Sequence, residues 1–209
     1  MNSSILTPST LGAVMLSAAA VVGAASLRPA LSADADATAH TDKTVRGKYL
    51  VTIAGCNDCH TPLKAGPNGP EPDFTRMLSG HPQDIVMPPA PALPEGPWAV
   101  TAAATNTAWS GPWGVSFTAN LTPDPETGLG RWTLRNFKDT IRSGRHQGRG
   151  RLILPPMPIP MYKHMTDEDL EAVFAFLQSI PAIRNRVPEP LPPAVSAAAT
   201  PPPNSLSKT

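Results

Sequence analysis

The stretch that decides how this chain folds is Gly55-Cys-Asn-Asp-Cys-His-Thr-Pro62. It contains Cys56 and Cys59, which are the only two cysteines among 209 residues. Two cysteines cannot by themselves hold together a loop-rich fold of this size. They therefore need a chemical explanation, and His60, which follows Cys59 directly, is part of it.

The pattern Cys-x-x-Cys-His is typical of covalent haem attachment, in which the two thiols add to the vinyl groups and the histidine lies under the iron. The spacing lets both thioethers reach adjacent edges of one flat macrocycle from a single helical turn. We therefore predict one covalent haem c, attached at Cys56 and Cys59, with His60 as an iron ligand. A zinc half-site would need a second pair of ligands, of which the sequence has no trace, and a thioredoxin-type dithiol would need a βαβ context.

The second axial position of the iron needs a ligand or stays open. Met157 is the preferred candidate because Pro156 and Pro158 stiffen its loop, so the thioether has little entropy left to lose. Met161 is the alternative sulfur. The histidines that would give bis-histidine ligation are each expected instead to be exposed polar side chains: His81, His146 and His164.

The composition limits the possible functions. The chain has 27 prolines, which is more than twice the average share, and only 5% of its residues are aromatic. A conventional core would be thin unless a cofactor fills it. Lys and Arg number 17 and Asp and Glu 16, for a net charge of +1, which excludes a polycation that binds nucleic acid.

Residues 1–33 resemble an export signal. An apolar run, Leu11–Ala25, is followed by small residues that predict cleavage after Ala33. No basic residue precedes the run and Arg28 follows it, so the segment is either a cleaved signal peptide or a retained membrane anchor. Export agrees with c-type maturation, which takes place outside the bacterial cytoplasm, and predicts a periplasmic protein.

Apolar periodicity predicts three helices, at residues 45–54, 134–143 and 166–179. Gly55 should end the first, Thr133 should cap the second before it ends at Gly144, and Thr166 should cap the third. The predicted core-facing residues are Val45, Tyr49 and Ile53 on the first helix, Leu134, Phe137 and Ile141 on the second, and Leu170, Val173, Phe174 and Leu177 on the third.

The remaining segments are predicted to lack regular structure. Nine prolines between Gly66 and Pro97 favour a long irregular loop, and this insertion extends to about Trp113. Its tryptophans, Trp98, Trp109 and Trp113, are expected to pack against the body. Residues 34–43 are predicted to be a flexible N-terminus, and residues 188–209, with seven prolines, a disordered tail.

One stretch, Arg131–Arg151, is strongly basic, with seven Lys and Arg residues against one acid. Three interpretations are open: a solvated helix face, a docking surface for an acidic redox partner, or pairing of Arg142 or Arg145 with haem propionates. Met165, which precedes the cap Thr166, is expected to be a packing residue.

Several motifs together resemble a class I c-type cytochrome. More narrowly, they are similar to a single haem domain of the cytochrome c subunits of bacterial membrane-associated alcohol and sugar dehydrogenases. The resemblance covers residues 44–187 apart from the insertion at about 66–113. The motifs that carry it are Gly47-Lys-Tyr-Leu50, the stretch Gly55–Pro62, Asn120-Leu-Thr-Pro-Asp124, Gly128-Leu-Gly-Arg-Trp132, Phe137, Gly144, Met157-Pro158, Tyr162 and Thr166-Asp-Glu-Asp-Leu170.

The resemblance implies an all-α fold of about three main helices around one covalent haem. It also implies His60 and Met157 as axial ligands, with the first and last helices crossing near Tyr49 and Phe174. Subunits of that family commonly carry three such modules, whereas this chain has one attachment motif.

The predicted function is one-electron transfer by Fe(III)/Fe(II) cycling, between a dehydrogenase or other donor and an oxidase or cytochrome acceptor, and not catalysis. Two alternatives remain. One is a haem c redox enzyme whose labile or open sixth site faces a substrate pocket walled by the insertion. The other is a haem-based sensor or binding module.

Overall fold

The computed structural model describes residues 42–90 and 96–193. The predicted signal peptide, residues 34–41 of the predicted flexible N-terminus and residues 194–209 of the predicted tail lie outside this range. None of the described helices is both long and apolar enough to span a membrane.

Five helices are described. Helix α1 occupies residues 42–53, α2 is Cys56–His60, α3 is Leu134–Ser143, α4 is Ile159–Tyr162 and α5 is Asp167–Ser179. The predicted caps of α3 and α5 are confirmed. The Thr133 hydroxyl accepts a hydrogen bond from the Asn136 backbone N–H at 3.1 Å, and the Thr166 hydroxyl accepts one from the Asp169 N–H at 3.1 Å.

The all-α prediction is wrong, because the chain also forms two antiparallel sheets. Strands β1, Leu63–Gly66, and β2, Gly69–Pro72, form a hairpin. Strands β3, Thr101–Ala102, β4, Ala108–Gly111, and β5, Gly114–Phe117, form a second sheet in the order β3-β4-β5. The fold is mixed α/β.

These strands lie in and beside the segment predicted to be an irregular loop. Strands of two to four residues are too short to show an alternating apolar pattern, so periodicity does not detect them. The prolines also favour a loop, because proline cannot donate a backbone hydrogen bond. Strand β2 is an edge strand of a two-stranded hairpin, where Pro70 and Pro72 are tolerated.

Helix α1 packs through a different face from the one predicted. Val45, Tyr49 and Ile53 are exposed, and the buried residues are Gly47, Leu50 and Val51. A Cβ atom on Gly47 would lie 1.9 Å from the carbonyl oxygen of Ala172 in α5, so the two helices approach most closely at a residue without a side chain.

The implied contact of the first and last helices is present, but it lies at Gly47 and Ala172, and Tyr49 is exposed beside it. Phe174 is instead paired with Phe137 of α3, with ring centroids 5.4 Å apart. The apolar pattern favoured large side chains, whereas the close contact depends on a glycine that carries no hydrophobic signal.

One core joins α1, α3 and α5. Its buried members are Leu50, Val51, Leu78, Leu129, Phe137, Ile141, Leu170, Ala172, Val173, Phe176, Leu177 and Ile180. Cys56, Met157 and Tyr162 are partly buried against the same cluster, so the attachment motif and the Met157 loop share this core.

The insertion is part of the folded body. Leu78 and His81, in its middle, are fully buried, and the Gly80 N–H donates to the His60 carbonyl at 2.8 Å. Asn185 holds the same segment from the C-terminal side, since its amide donates to the carbonyls of Ser79 and His81 at 2.7 and 2.8 Å. This segment of the insertion is therefore bonded to the backbone of His60, which directly follows Cys59.

The tryptophans of the insertion differ in exposure. Trp109 and Trp113 are partly buried, as predicted, whereas Trp98 is exposed and its predicted packing is wrong. Farther along the chain, Leu191 pairs with Val115 of β5 through two hydrogen bonds of 2.9 Å.

Candidate haem-attachment site

Helix α2 presents the two thiols. Gly55, in the left-handed conformation with φ of 70°, turns the chain between α1 and α2, which suits a residue without a side chain. Helix α2 has five residues, so Cys56 and Cys59 lie three positions apart, about one turn, on the same side of the helix. Neither forms a disulfide, and both are partly exposed.

The surroundings of the two thiols favour their protonated form. Burial raises the pKa of Cys56 to about 11, with a further contribution from the carboxylate of Asp58, and burial also raises the pKa of Cys59. Both are therefore protonated at neutral pH. Within residues 42–90 and 96–193, no group of three or more His, Cys, Asp and Glu side chains is arranged to hold a metal ion, so the zinc interpretation has no structural support.

His60 is buried and held by its neighbours. Its Nδ1 lies 2.8 Å from the carbonyl oxygen of Ala119, so Nδ1 carries the proton and Nε2 has the free lone pair. Burial lowers the pKa of His60, and the hydrogen bond to Ala119 opposes this in part. A neutral imidazole with Nε2 available is the form that ligates iron. The two thiols and this imidazole fit a covalently attached haem.

The segment that supplies the Ala119 carbonyl is fixed by Asn120. The Asn120 side chain accepts from the Thr122 N–H and hydroxyl at 3.0 and 2.7 Å and donates to the Ile183 carbonyl at 2.8 Å. The motif Asn120–Asp124 carries the family resemblance, and its sequence alone does not indicate this role. The orienting group is a backbone carbonyl, which leaves no side-chain signal in the sequence.

Thr61 was also missed as a structural residue. It is fully buried, donates to the Asn57 side chain at 2.9 Å and accepts from the Leu78 N–H at 2.9 Å. These bonds join α2 to the insertion, on the side where Gly80 also binds His60.

The structure places Met157 on the loop before α4. It is partly buried against the core, and its carbonyl accepts from the Ile159 N–H at 2.9 Å. Met161 is exposed. Met165 packs against the core, as predicted.

The histidines considered for bis-histidine ligation differ from one another. His81 is fully buried, and its predicted exposure is wrong. Both of its ring nitrogens are engaged, Nδ1 with the Thr107 hydroxyl at 2.9 Å and Nε2 with the Ile85 carbonyl at 3.2 Å, so it has no nitrogen to offer iron. His146 and His164 are exposed, as predicted.

Part of the basic stretch is paired with carboxylates of α5. Lys138 lies 2.8 Å from Glu171 and 3.3 Å from Asp167, and Arg142 lies 2.6 Å from Asp167. Hydrogen bonds from Arg142 and Lys138 hold the pKa of Asp167 below its usual value. Arg135 differs, because it is almost fully exposed and lies only near Asp139, at 3.6 Å.

Comparisons with known proteins were made on the whole chain. No protein-family model matches it. The alcohol dehydrogenase (quinone) cytochrome c subunit of Gluconobacter oxydans is 27% identical over 147 residues, which are 69% of this chain and 23% of that protein. The fructose dehydrogenase cytochrome subunit of Gluconobacter japonicus is 28% identical over 143 residues, 68% of this chain and 22% of that protein.

The gluconate 2-dehydrogenase cytochrome c subunit of Pantoea cypripedii is likewise 28% identical over 142 residues, 68% of this chain and 24% of that protein. The chain thus spans less than a quarter of the length of each of these relatives. Each of these relatives is named as a cytochrome subunit of a dehydrogenase. The chain is similar to the cytochrome c subunits of bacterial alcohol, fructose and gluconate dehydrogenases, which confirms the resemblance predicted from its motifs.

Proposed function

We propose that this chain is a periplasmic mono-haem c-type cytochrome that passes single electrons from a dehydrogenase or other donor to a downstream respiratory acceptor. The observation that carries the proposal is the state of His60, which directly follows Cys59, is buried and neutral, and has its Nδ1 bonded to Ala119. The sequence contains one such motif and two cysteines, which supports a single haem.

The residues of the chain would hold, orient and shield the group. Cys56 and Cys59 would carry the thioether bonds, His60 would be one axial ligand and Met157 the other. Through the bond from Gly80, the insertion satisfies the backbone carbonyl of His60, and Ala119 fixes the direction of the ring. When bound, haem c supplies reversible Fe(III)/Fe(II) cycling at a potential that a methionine ligand raises.

The exposed part of the Arg131–Arg151 stretch supports a steering role. Lys138 and Arg142 have close carboxylate partners within the protein, whereas Arg135 is almost fully exposed and contacts Asp139 only at 3.6 Å. Redox encounters use small interfaces, and complementary charge mainly raises the rate of association. An acidic patch on the dehydrogenase or on the acceptor fits this surface.

The proposed location follows from residues 1–33, with export through a cleaved signal or a retained anchor. The alternative of an open-site redox enzyme is less well supported. The Gly66–Trp113 insertion, which would have to wall its substrate pocket, is used instead to pack beside His60.

A redox titration of the purified holoprotein, followed in the visible spectrum, tests the proposed function. We expect one reversible one-electron transition and slow, weak binding of cyanide to the ferric protein, because the sixth position is filled. Immediate, tight cyanide binding by the wild type would favour the open-site enzyme and overturn the proposal.

A further inference from the structure

Tyr162 connects the Met157 loop to the turn that carries the two cysteines. Its hydroxyl donates a hydrogen bond to the carbonyl oxygen of Ala54, which is 108 positions earlier in the chain. Ala54 directly precedes Gly55, where the chain leaves α1 and turns into α2. Carbonyls at the end of a helix lack intrahelical donors, so the Tyr162 hydroxyl satisfies a group that would otherwise need water.

The other end of this connection is rigid. Tyr162 closes the short helix α4, and its N–H donates to the Pro158 carbonyl at 3.1 Å. The Ile159 N–H donates to the Met157 carbonyl at 2.9 Å, so Met157 is bonded to the same turn. The position of the Tyr162 ring therefore limits where the Met157 backbone can move.

The Tyr162 hydroxyl also lies in surroundings that keep it a donor. Burial raises the pKa of Tyr162 to about 12, and Cys56, Cys59 and Asp58 contribute in the same direction. Thioethers carry no charge, but burial, the largest cause, would remain after attachment.

We propose that Tyr162 is a positioning residue, whose hydrogen bond to Ala54 keeps Met157 in the second axial position and resists displacement of its sulfur. This inference rests on the proposed function, since it requires haem at Cys56 and Cys59 and Met157 as a ligand. A purely structural residue would affect unfolding without changing the competition between Met157 and an added ligand.

The test is a titration of the ferric holoprotein with imidazole, followed through the near-infrared sulfur-to-iron band. In Tyr162→Phe the ring remains and only the hydroxyl is lost. We expect the apparent dissociation constant for imidazole to fall about five- to tenfold, which is the factor that one hydrogen bond of ordinary strength supplies. The rate at which methionine is displaced should rise as well.

The matched control is Tyr49→Phe, which removes the same hydroxyl from the exposed face of α1 and should leave imidazole binding unchanged. An imidazole affinity within twofold of wild type in Tyr162→Phe, with the band intact, would overturn the positioning role and leave the proposed function standing. Absence of covalent haem or of the band in the wild type would instead overturn the function on which the inference rests.

Discussion

Truncation of Val51 to alanine should destabilise the protein by about 2 kcal/mol, whereas the same change at Val45 should have almost no effect. Both residues lie in α1, and the deleted atoms are identical. Val51 is 1% exposed and Val45 is 65% exposed. The pair therefore tests which face of α1 is packed.

The magnitude follows from the burial. Removing two methyl groups from a buried valine loses about 1.6 kcal/mol of transfer free energy, at about 0.8 kcal/mol per group, and a residual cavity adds to this. At Val45 only about a third of that loss applies, roughly 0.5 kcal/mol, and the better helix propensity of alanine, which acts at both positions, offsets a similar amount. Urea denaturation of the two holoprotein variants measures both free energies, provided that their m values agree.

Equal losses at the two positions, or a larger loss at Val45, would refute the packing of α1 described above. Gly47→Ala gives an independent check on the same face of α1. The added Cβ would meet the Ala172 carbonyl oxygen at 1.9 Å, so we expect a loss of about 1–3 kcal/mol despite the gain in helix propensity.

Three further predictions concern the site and the charged surface. Met157→Ala should abolish the near-infrared band of the ferric protein and lower its potential, and Met161→Ala should do neither; the reverse result would identify the other sulfur as the ligand. The pKa of Asp167 is lowered in the folded state, so its stabilising contribution is present above its unfolded pKa and is lost as the pH falls through its folded pKa. Asp167→Asn should therefore reduce the loss of unfolding free energy at acid pH, measured by urea titrations at several pH values. The same acid-induced loss in the variant and the wild type would contradict this. Arg135→Glu should lower the bimolecular electron-transfer rate with an acidic partner several-fold at low salt, because it removes electrostatic attraction, and should make this rate less sensitive to ionic strength. If the rate is insensitive to salt in both the wild type and the variant, the Arg131–Arg151 stretch is a solvated face.

The candidate site and the caps of two helices could be proposed from the sequence because their signals are local. The attachment motif needs only Cys56, Cys59 and His60 in fixed order, and the α3 and α5 caps need only a threonine before an amphipathic segment. Such patterns depend only on residues that are neighbours in sequence, so they can be recognised without knowledge of tertiary contacts.

The features that were missed depend on distant contacts. Gly47 marks the closest approach of α1 and α5, but a missing side chain contributes nothing to an apolar pattern. His81 was expected to be exposed because histidine is polar, yet Thr107 and Ile85 satisfy both of its nitrogens inside the fold. The group that orients His60 is the backbone carbonyl of Ala119, which a residue of any type could supply, so the sequence does not indicate it.

Covalent attachment of one haem at Cys56 and Cys59 can be measured from the intact mass of the purified protein. We predict a mass equal to that of the polypeptide plus one haem, retained after acid–acetone extraction, and lost in the double variant Cys56→Ala, Cys59→Ala. A mass equal to that of the polypeptide alone, or haem that is removed by extraction, would contradict the account.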